Sequence, residues 1–261
     1  MSADNNWELP ESRTEEFKPR QTKYAVLIPI INEGERIRKQ LVRMQDFLSY
    51  GDIIIVDGGS NDCSADPSYL KQQNVRTVIY KTGPGKLSAQ LRLGLAYAMK
   101  QGYEGVILID GNNKDDPSAI PSFVNALDLG FDHIQGSRFV PGGKAENNPL
   151  VRLLGIKLLH APLISLSARF HYTDTTNGFR AYSRNLLLHP KVQPFRNIFS
   201  LYELHYYLAI RAGTLGLRIT EVPVTRTYPD GEIPTKISKF KGNLLILKIL
   251  FKACTYQYDP L

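Results

Sequence analysis

The sequence predicts an α/β fold, a mostly parallel sheet with helices on both faces. Three observations lead to it. Short β-rich apolar runs alternate with stretches whose apolar residues recur at helical spacing. The runs are continuously apolar, as strands covered on both faces must be. Polar clusters follow three of the runs, at the strand ends where open parallel sheets bind ligands.

Residues 24–31 (YAVLIPII) form the first run. GERIRKQLVRMQDFL follows, with Ile37, Leu41, Met44 and Leu48 at helical spacing. DIIIV (52–56) is a second strand, closed by the turn signal DGGSND. VRTVIY (75–80) is a third strand. After KTGPGK comes a helix of strong formers, LSAQLRLGLAYAMK. GVILI (105–109) is a fourth strand, and it opens into DGNNKDDP.

Residues 118–129 read as a helix with a proline near its start, and 133–136 as a strand. Residues 150–170 are an apolar, basic helical stretch interrupted by Pro162. DTTNGFRAYSR follows, then a helix from about 201 to 212 and a strand in LRITEVPV (217–224). The tail, KFKGNLLILKILFKA, is apolar with lysines interspersed.

The 261 residues suit one large domain, and no internal repeat or low-complexity linker divides them. The expected organisation is a loose polar leader (1–22), a main domain (23–242), and an amphipathic helix with a tail (243–261). The leader lacks the apolar core of a signal peptide, and no apolar run approaches the ~20 residues of a transmembrane span. Cys63 and Cys254 are far apart, with no C-x-x-C. They suggest neither a disulfide framework nor a zinc site, which fits a reducing, cytoplasmic setting. The net charge of +7 favours anionic partners. Nucleic acid is disfavoured, because its readers carry aromatic residues among Arg and Lys on an exposed sheet, whereas these strands are aliphatic.

The polar clusters are INE after the first strand, DGGSND after the second and DGNNKDDP after the fourth. Each alone could be an ordinary turn or helix cap. Together on one sheet edge they indicate a site. Carboxylates bind phosphate only through an intervening cation, so Mg²⁺ or Mn²⁺ carrying a phosphorylated ligand fits. The sheet edge has neither G-x-G-x-x-G nor G-x-x-x-x-G-K-[ST], which counts against a dinucleotide oxidoreductase or a P-loop NTPase.

VLIPIINE, IIIVDGGSND, VILIDGNNKDDP, GSRF, DTTNGFRAYSR and ITEVPV occur in the order of glycosyltransferase family 2. Over roughly residues 24–242 the chain resembles that family, which has the GT-A fold, and within it the polyprenyl-phosphate glycosyltransferases. The resemblance implies that Pro29, Ile31, Glu33 and Asp57 hold the base and ribose of a nucleotide sugar, of GDP-mannose or UDP-glucose type. It places Asp110, Gly111 and Asn112 at the metal and diphosphate, with Asp110 and Asn112 as metal ligands. Arg138 matches a cation near the phosphates. Arg226 and Lys236, with Lys239 as the alternative to Lys236, match an Arg…Ser-Lys pattern, which implies that they bind the donor. Asp174 and Arg180 fall in the acceptor-side motif, and Asp110, Arg138, Asp174 and Arg180 form the implied catalytic set.

The chain departs from the family where D-x-D becomes Asp110-Gly111-Asn112 and a frequent glutamine becomes Lys114. An amide oxygen can ligate a hard cation but brings no charge, and an ammonium cannot ligate. Asp115 or Asp116 could complete a metal shell, or Lys114 could partly neutralise the diphosphate. A hydroxyl acceptor needs a general base, and none stands in the family's usual context. A phosphate acceptor needs only cations, for which Arg152, Lys157, Arg169 and Arg180 are candidates. The expected reaction is an inverting transfer to a lipid phosphate. Transfer to a hydroxyl, or nucleotide-sugar binding without turnover, are the alternatives. The tail could lie on a membrane surface or dock on the core.

Overall fold

The computed structural model describes residues 7–147, 150–228 and 241–260. The first half runs β1 (Ser12–Glu16), β2 (Tyr24–Ile30), α1 (Glu35–Arg43), β3 (Asp52–Asp57), α2 (Pro67–Gln72), β4 (Thr77–Lys81), α3 (Leu87–Lys100), β5 (Gly105–Leu108), α4 (Ile120–Asp128) and β6 (His133–Ser137). The second half runs β7 (Lys144–Glu146), α5 (Leu150–Gly155), a π-helical segment (Ile156–His160), α6 (Ala161–Ala168), β8 (Arg180–Ser183), α7 (Arg184–Leu188), α8 (Glu203–Thr214), β9 (Ile219–Pro223), β10 (Thr225–Thr227) and α9 (Lys241–Cys254).

The main sheet has the order β1-β4-β3-β2-β5-β8-β6-β9. β4, β3, β2 and β5 pair in parallel, as do β6 and β9. The expected mostly parallel sheet is therefore present, with β1 and β8 antiparallel to their neighbours. Both faces are covered. Leu27, Val56 and Leu108 point to one side, under α3 and α8. Val26, Ile55 and Ile107 point to the other, against Ile37 and Leu41 of α1 and Phe123 of α4. This is why the strands read as unbroken apolar runs: successive residues face opposite ways, and both ways are dry.

Two expectations, on the leader and on Pro162, need correction, and one strand went unassigned. Residues 12–16 of the supposed loose leader form β1, an edge strand on β4. Trp7 packs against Phe195 at 4.2 Å, so the segment before β1 is also tied down. Neither shows as an apolar pattern, because β1 is held through its backbone ladder and through Arg13 stacked on Tyr80. The acceptor-side motif contains a strand, β8, inserted between β5 and β6. Pro162 does not interrupt its helix. The helical run continues through it from Leu150 to Ala168, and the wider π-turn of Ile156–His160 directly before it accommodates the missing N–H.

α9 docks on α6 and α8 through Ile249, Leu250 and Ala253. Among the described residues no helix is long and apolar enough to cross a membrane.

Two histidines sit in this core. His133 of β6 lies against Tyr172 and Tyr182, and His205 of α8 bonds the Tyr182 hydroxyl at 3.1 Å. Burial holds both well below the ordinary histidine value, and the Arg180 charge adds to the effect. Below pH ~6.5 the unfolded chain takes up protons that the folded chain refuses, so stability must fall with pH. The Asp115 carboxyl, pushed up to about 6 by burial, protonates in the same window and offsets part of this. Urea unfolding at pH 7 and pH 5 should show a net loss of roughly 2–3 kcal/mol on acidification.

Candidate active site

The carboxyl ends of β2, β3 and β5 lie side by side, and the sequence places its polar clusters there. β2 ends at Pro29 and Ile30, beyond its last residue paired with β5, a position where a proline without an N–H is accommodated. Gln90 of α3 ties the strand ends together, donating to Ile30 O at 2.9 Å and Val56 O at 3.0 Å. Asp57 closes β3. Its carboxylate accepts from the Gly59 and Ser60 amides at 3.1 Å and from the Ser60 hydroxyl. Ile31 is exposed at the rim, whereas Glu33 pairs with Arg36 at 2.9 Å.

DGNNKDDP divides into outward and inward parts. Gly111 is packed so tightly on the end of β2 that a Cβ there would stand 2.5 Å from Ile30 and 3.1 Å from Pro29 O. Only glycine allows this approach. Asn113 adopts φ 58° and is fixed by Gln40 (2.8 Å) and Arg43 (3.0 Å). Asp116 caps the next turn and meets Arg43 at 3.1 Å. Asp115 is fully buried against the Arg226 guanidinium. Asp115 is thus turned into the interior and Asp116 toward Arg43, while Asp110 is the carboxylate of this segment that Arg226 holds at the strand end. Asp110 keeps about a quarter of its side chain exposed, with Asn112 beside it.

Arg226 lies on β10, which pairs with β7 in a separate two-stranded ribbon, and an isolated bridge joins it to Asp115. Its guanidinium reaches both Asp115 and Asp110, the latter at 3.2 Å. Burial pulls its pKa down, but the two carboxylates outweigh that and raise it, so the charge is permanent. Tyr228, two residues on, stacks near Lys114 (5.2 Å) and accepts from Arg138 Nη1 at 3.2 Å.

Arg138 and Asp174 form a buried two-point pair, Nε to Oδ2 at 2.6 Å and Nη2 to Oδ1 at 2.9 Å. Burial alone would raise the Asp174 carboxyl. The Arg138 hydrogen bonds win and hold it below its usual value. Asp174 thus orients Arg138 and is sealed from any substrate. Arg138 also donates to the Thr176 hydroxyl at 2.9 Å.

The expected catalytic cation Arg180 does not face this site. It is buried and spends its donors on the carbonyls of Asn177 (2.8 Å) and Thr175 (2.7 Å), which close the loop before β8, and of His205 in α8 (3.0 Å). Lys236 and Lys239 lie outside the described residues. Gln90 and Tyr228 were missed by the sequence reading. The alternation in TRTY, which puts Arg226 and Tyr228 on one side of a strand, was the available signal for Tyr228.

The loop carrying Asp174 abuts the loop carrying Asp110. A Cβ at Gly178 would stand 2.5 Å from Asp110 Oδ1. The two motifs, distant in sequence, therefore meet at one point.

The profile of glycosyl transferase family 2 matches residues 25–189. The chain belongs to that family. It is a glycosyltransferase. It is 29% identical over 235 residues to polyprenol monophosphomannose synthase of Mycolicibacterium smegmatis, covering 88% of this chain and 85% of that one. It is 28% identical over 202 residues to undecaprenyl-phosphate mannosyltransferase of Micrococcus luteus, covering 76% and 81%. Glucosyl-3-phosphoglycerate synthase from Mycobacterium tuberculosis, solved with Mn²⁺ and UDP-glucose, superposes with a TM-score of 0.64 at 20% identity, over 89% of this chain and 79% of that one. That likeness shows a shared GT-A fold.

Replacing Asp174 with alanine leaves Arg138 buried and unpaired. The variant should lose about 3–5 kcal/mol of stability by urea denaturation. Gly178→Ala should fold but force Asp110 to shift, and a crystal structure of the variant would show the displaced carboxylate.

Proposed function

We propose that this glycosyltransferase moves a sugar, with inversion, from a nucleotide sugar to a polyprenyl phosphate. The observation that carries the proposal is the contact between the Asp110 loop and the Asp174–Gly178 loop, flanked by the buried cations Arg226 and Arg138. It supports the reading by bringing the segments proposed for donor and acceptor onto one cluster of fixed charges. Asp110, Asp115 and Asp174 each face an arginine. That arrangement suits an acceptor that arrives already ionised and needs no proton removed. The two relatives named for polyprenyl and undecaprenyl mannosyl transfer support the acceptor class, and they favour mannose among the donors considered.

In this reading the acceptor phosphate oxygen attacks the anomeric carbon from the face opposite the leaving group. The bond from that carbon to the diphosphate breaks, and the nucleoside diphosphate departs with its electron pair. Pro29, Ile31 and Gly111 shape the floor under the nucleotide. Asp57 holds the turn beside it, and Glu33 holds the start of α1. Arg226 keeps Asp110 in place. Arg138, oriented by Asp174, supplies positive charge on the acceptor side. Arg180 has a structural part, closing the loop that bears Gly178.

The residues fit a divalent ion, Mg²⁺ or Mn²⁺, on condition that the donor supplies much of its shell. Among the described residues no cluster of three His, Cys, Asp or Glu side chains could hold a metal unaided. Asp110 offers a carboxylate and Asn112 an amide oxygen, and an ion of this kind is commonly completed by substrate phosphates and water. Bound there, it would neutralise charge on the leaving diphosphate.

Wild-type protein, given labelled nucleotide sugars and a polyprenyl phosphate, should move label into a lipid-extractable product. Label found only in free sugar, or in a product made at an acceptor hydroxyl, would count against the proposal. Asp110→Ala should lower kcat/KM by about 30- to 1000-fold, equivalent to ~2–4 kcal/mol. Near-normal turnover in that variant would remove Asp110 from its role. EDTA should abolish activity and Mg²⁺ or Mn²⁺ restore it, and full activity in EDTA would strike the metal from the mechanism.

A further inference from the structure

The ITEVPV segment has no part in the site described above. It forms β9, the edge strand beside β6. Its side chains alternate. Val222 joins Ile134 and Phe123 on the α4 face, and Ile219 packs on the opposite, α8 face. Glu221 shares the α8 face with Ile219. A glutamate on an edge strand is commonly a solvated charge that keeps the edge from pairing. Glu221 is instead half-buried, and burial raises its carboxyl above the ordinary value.

Its carboxylate is spent on the loop between α6 and β8. Oε1 accepts from the Thr173 amide at 3.0 Å and the Asp174 amide at 3.2 Å. Oε2 accepts from the Thr173 amide at 3.0 Å and the Thr173 hydroxyl at 2.8 Å. The Thr173 oxygen in turn meets Ser137 Oγ at 2.5 Å, and Ser137 Oγ accepts from the Phe139 amide at 3.0 Å. An ionised carboxylate can only accept, so it fixes the direction of this chain. The Thr173 hydroxyl donates to Glu221, which leaves the Ser137 hydroxyl to donate to Thr173. Both branches bear on Arg138. Ser137 and Phe139 flank it in sequence, and Asp174 grips its guanidinium at two points. The Asp174 carboxylate also accepts from the Arg138 amide at 3.3 Å. The pair is sealed from solvent, so neither member can adjust by turning outward. The place of Arg138 thus follows the Thr173–Asp174 backbone, which Glu221 holds.

We propose that Glu221 is a positioning residue for sugar transfer: from the edge of the sheet its carboxylate sets the Thr173–Asp174 backbone and, through Asp174, the Arg138 guanidinium. It acts through Asp174 and not on a substrate. Its bonds lie away from the ends of β2 and β3, so its removal should spare the nucleotide side and weaken the acceptor side. The positioning stands on the bonds themselves. Only the assignment of that side to an acceptor phosphate rests on the function proposed above.

The test uses the full chain, by amide hydrogen exchange and by transfer kinetics. Without substrate, Glu221→Ala should exchange the Thr173 and Asp174 amides at least about tenfold faster than wild type, with β2 and α1 unchanged. It should lose about ten- to hundredfold in kcat/KM for the acceptor, with KM for the nucleotide sugar within about twofold of wild type. Glu221→Gln keeps one acceptor oxygen and should fall between the two. Thr173→Val should also lower transfer, and should cost less when added to Glu221→Ala than alone, because both act through one loop. A purely structural glutamate would lower the urea midpoint and leave kcat/KM of the folded protein as it was. If Glu221→Ala is misfolded by circular dichroism, Glu221→Gln and Thr173→Val carry the same readings. The inference is overturned if folded variants exchange those amides as wild type does, or transfer as wild type does. It is overturned too if KM for the nucleotide sugar rises as steeply as acceptor transfer falls. Should wild type transfer to a hydroxyl acceptor, or not at all, the proposed function falls alone, and the exchange rates decide for Glu221.

Discussion

The site depends on one guanidinium. Arg226 sits among groups that exclude water, between the carboxylates of Asp110 and Asp115. Burying a charge is costly unless its partners are close and its hydrogen bonds are made. Asp115 gives up all exposure to meet that requirement, and Asp110 gives up part. The ribbon of β7 and β10 serves this purpose, since it carries Arg226 across from the far edge of the sheet to the end of β5. Without the ribbon the two aspartates would stand together unopposed, and their repulsion would open the loop.

A second fixed pair works the same way on the other side. Arg138 and Asp174 are fully internal, and Tyr228 links them to the neighbourhood of Arg226 by accepting from Arg138 while stacking beside it. The Asp110 loop and the Asp174–Gly178 loop, proposed for donor and acceptor, therefore share a continuous set of contacts. A substrate entering between them meets dipoles and charges already in position, which is the condition under which electrostatic stabilisation costs no reorganisation.

The fold was legible because its strands are dry on both faces, and an unbroken apolar run records that directly. β1 was illegible because it is held by backbone bonds and a stacked arginine, neither of which leaves an apolar pattern. In the site, the turn at the end of β5 could be located from DGNNKDDP, but its aspartates could not be told apart. Asp110, Asp115 and Asp116 are chemically identical, and only the path of the loop sends one outward, one into the core and one to Arg43. Arg180 misled for a related reason. An arginine in a motif looks like a ligand-binding charge, yet two backbone carbonyls of an irregular loop and one of α8 take its donors.

The departure from D-x-D acquires a meaning in this setting. Asn112 in place of a carboxylate and Lys114 in place of an amide make the mouth of β5 two charges more positive than the family pattern. Lys114 is nearly buried beside Tyr228, on the same side of the loop as Arg226. If the proposed donor binds here, the field at its diphosphate would be drawn more from side chains fixed by the fold and less from oxygens that could grip a metal. A divalent cation of the proposed function would compete there with charges already present, so its hold would come mainly from the phosphates of the donor. In that proposal the same substitutions that would weaken a metal site in the empty protein would strengthen the attraction for the anion that completes it.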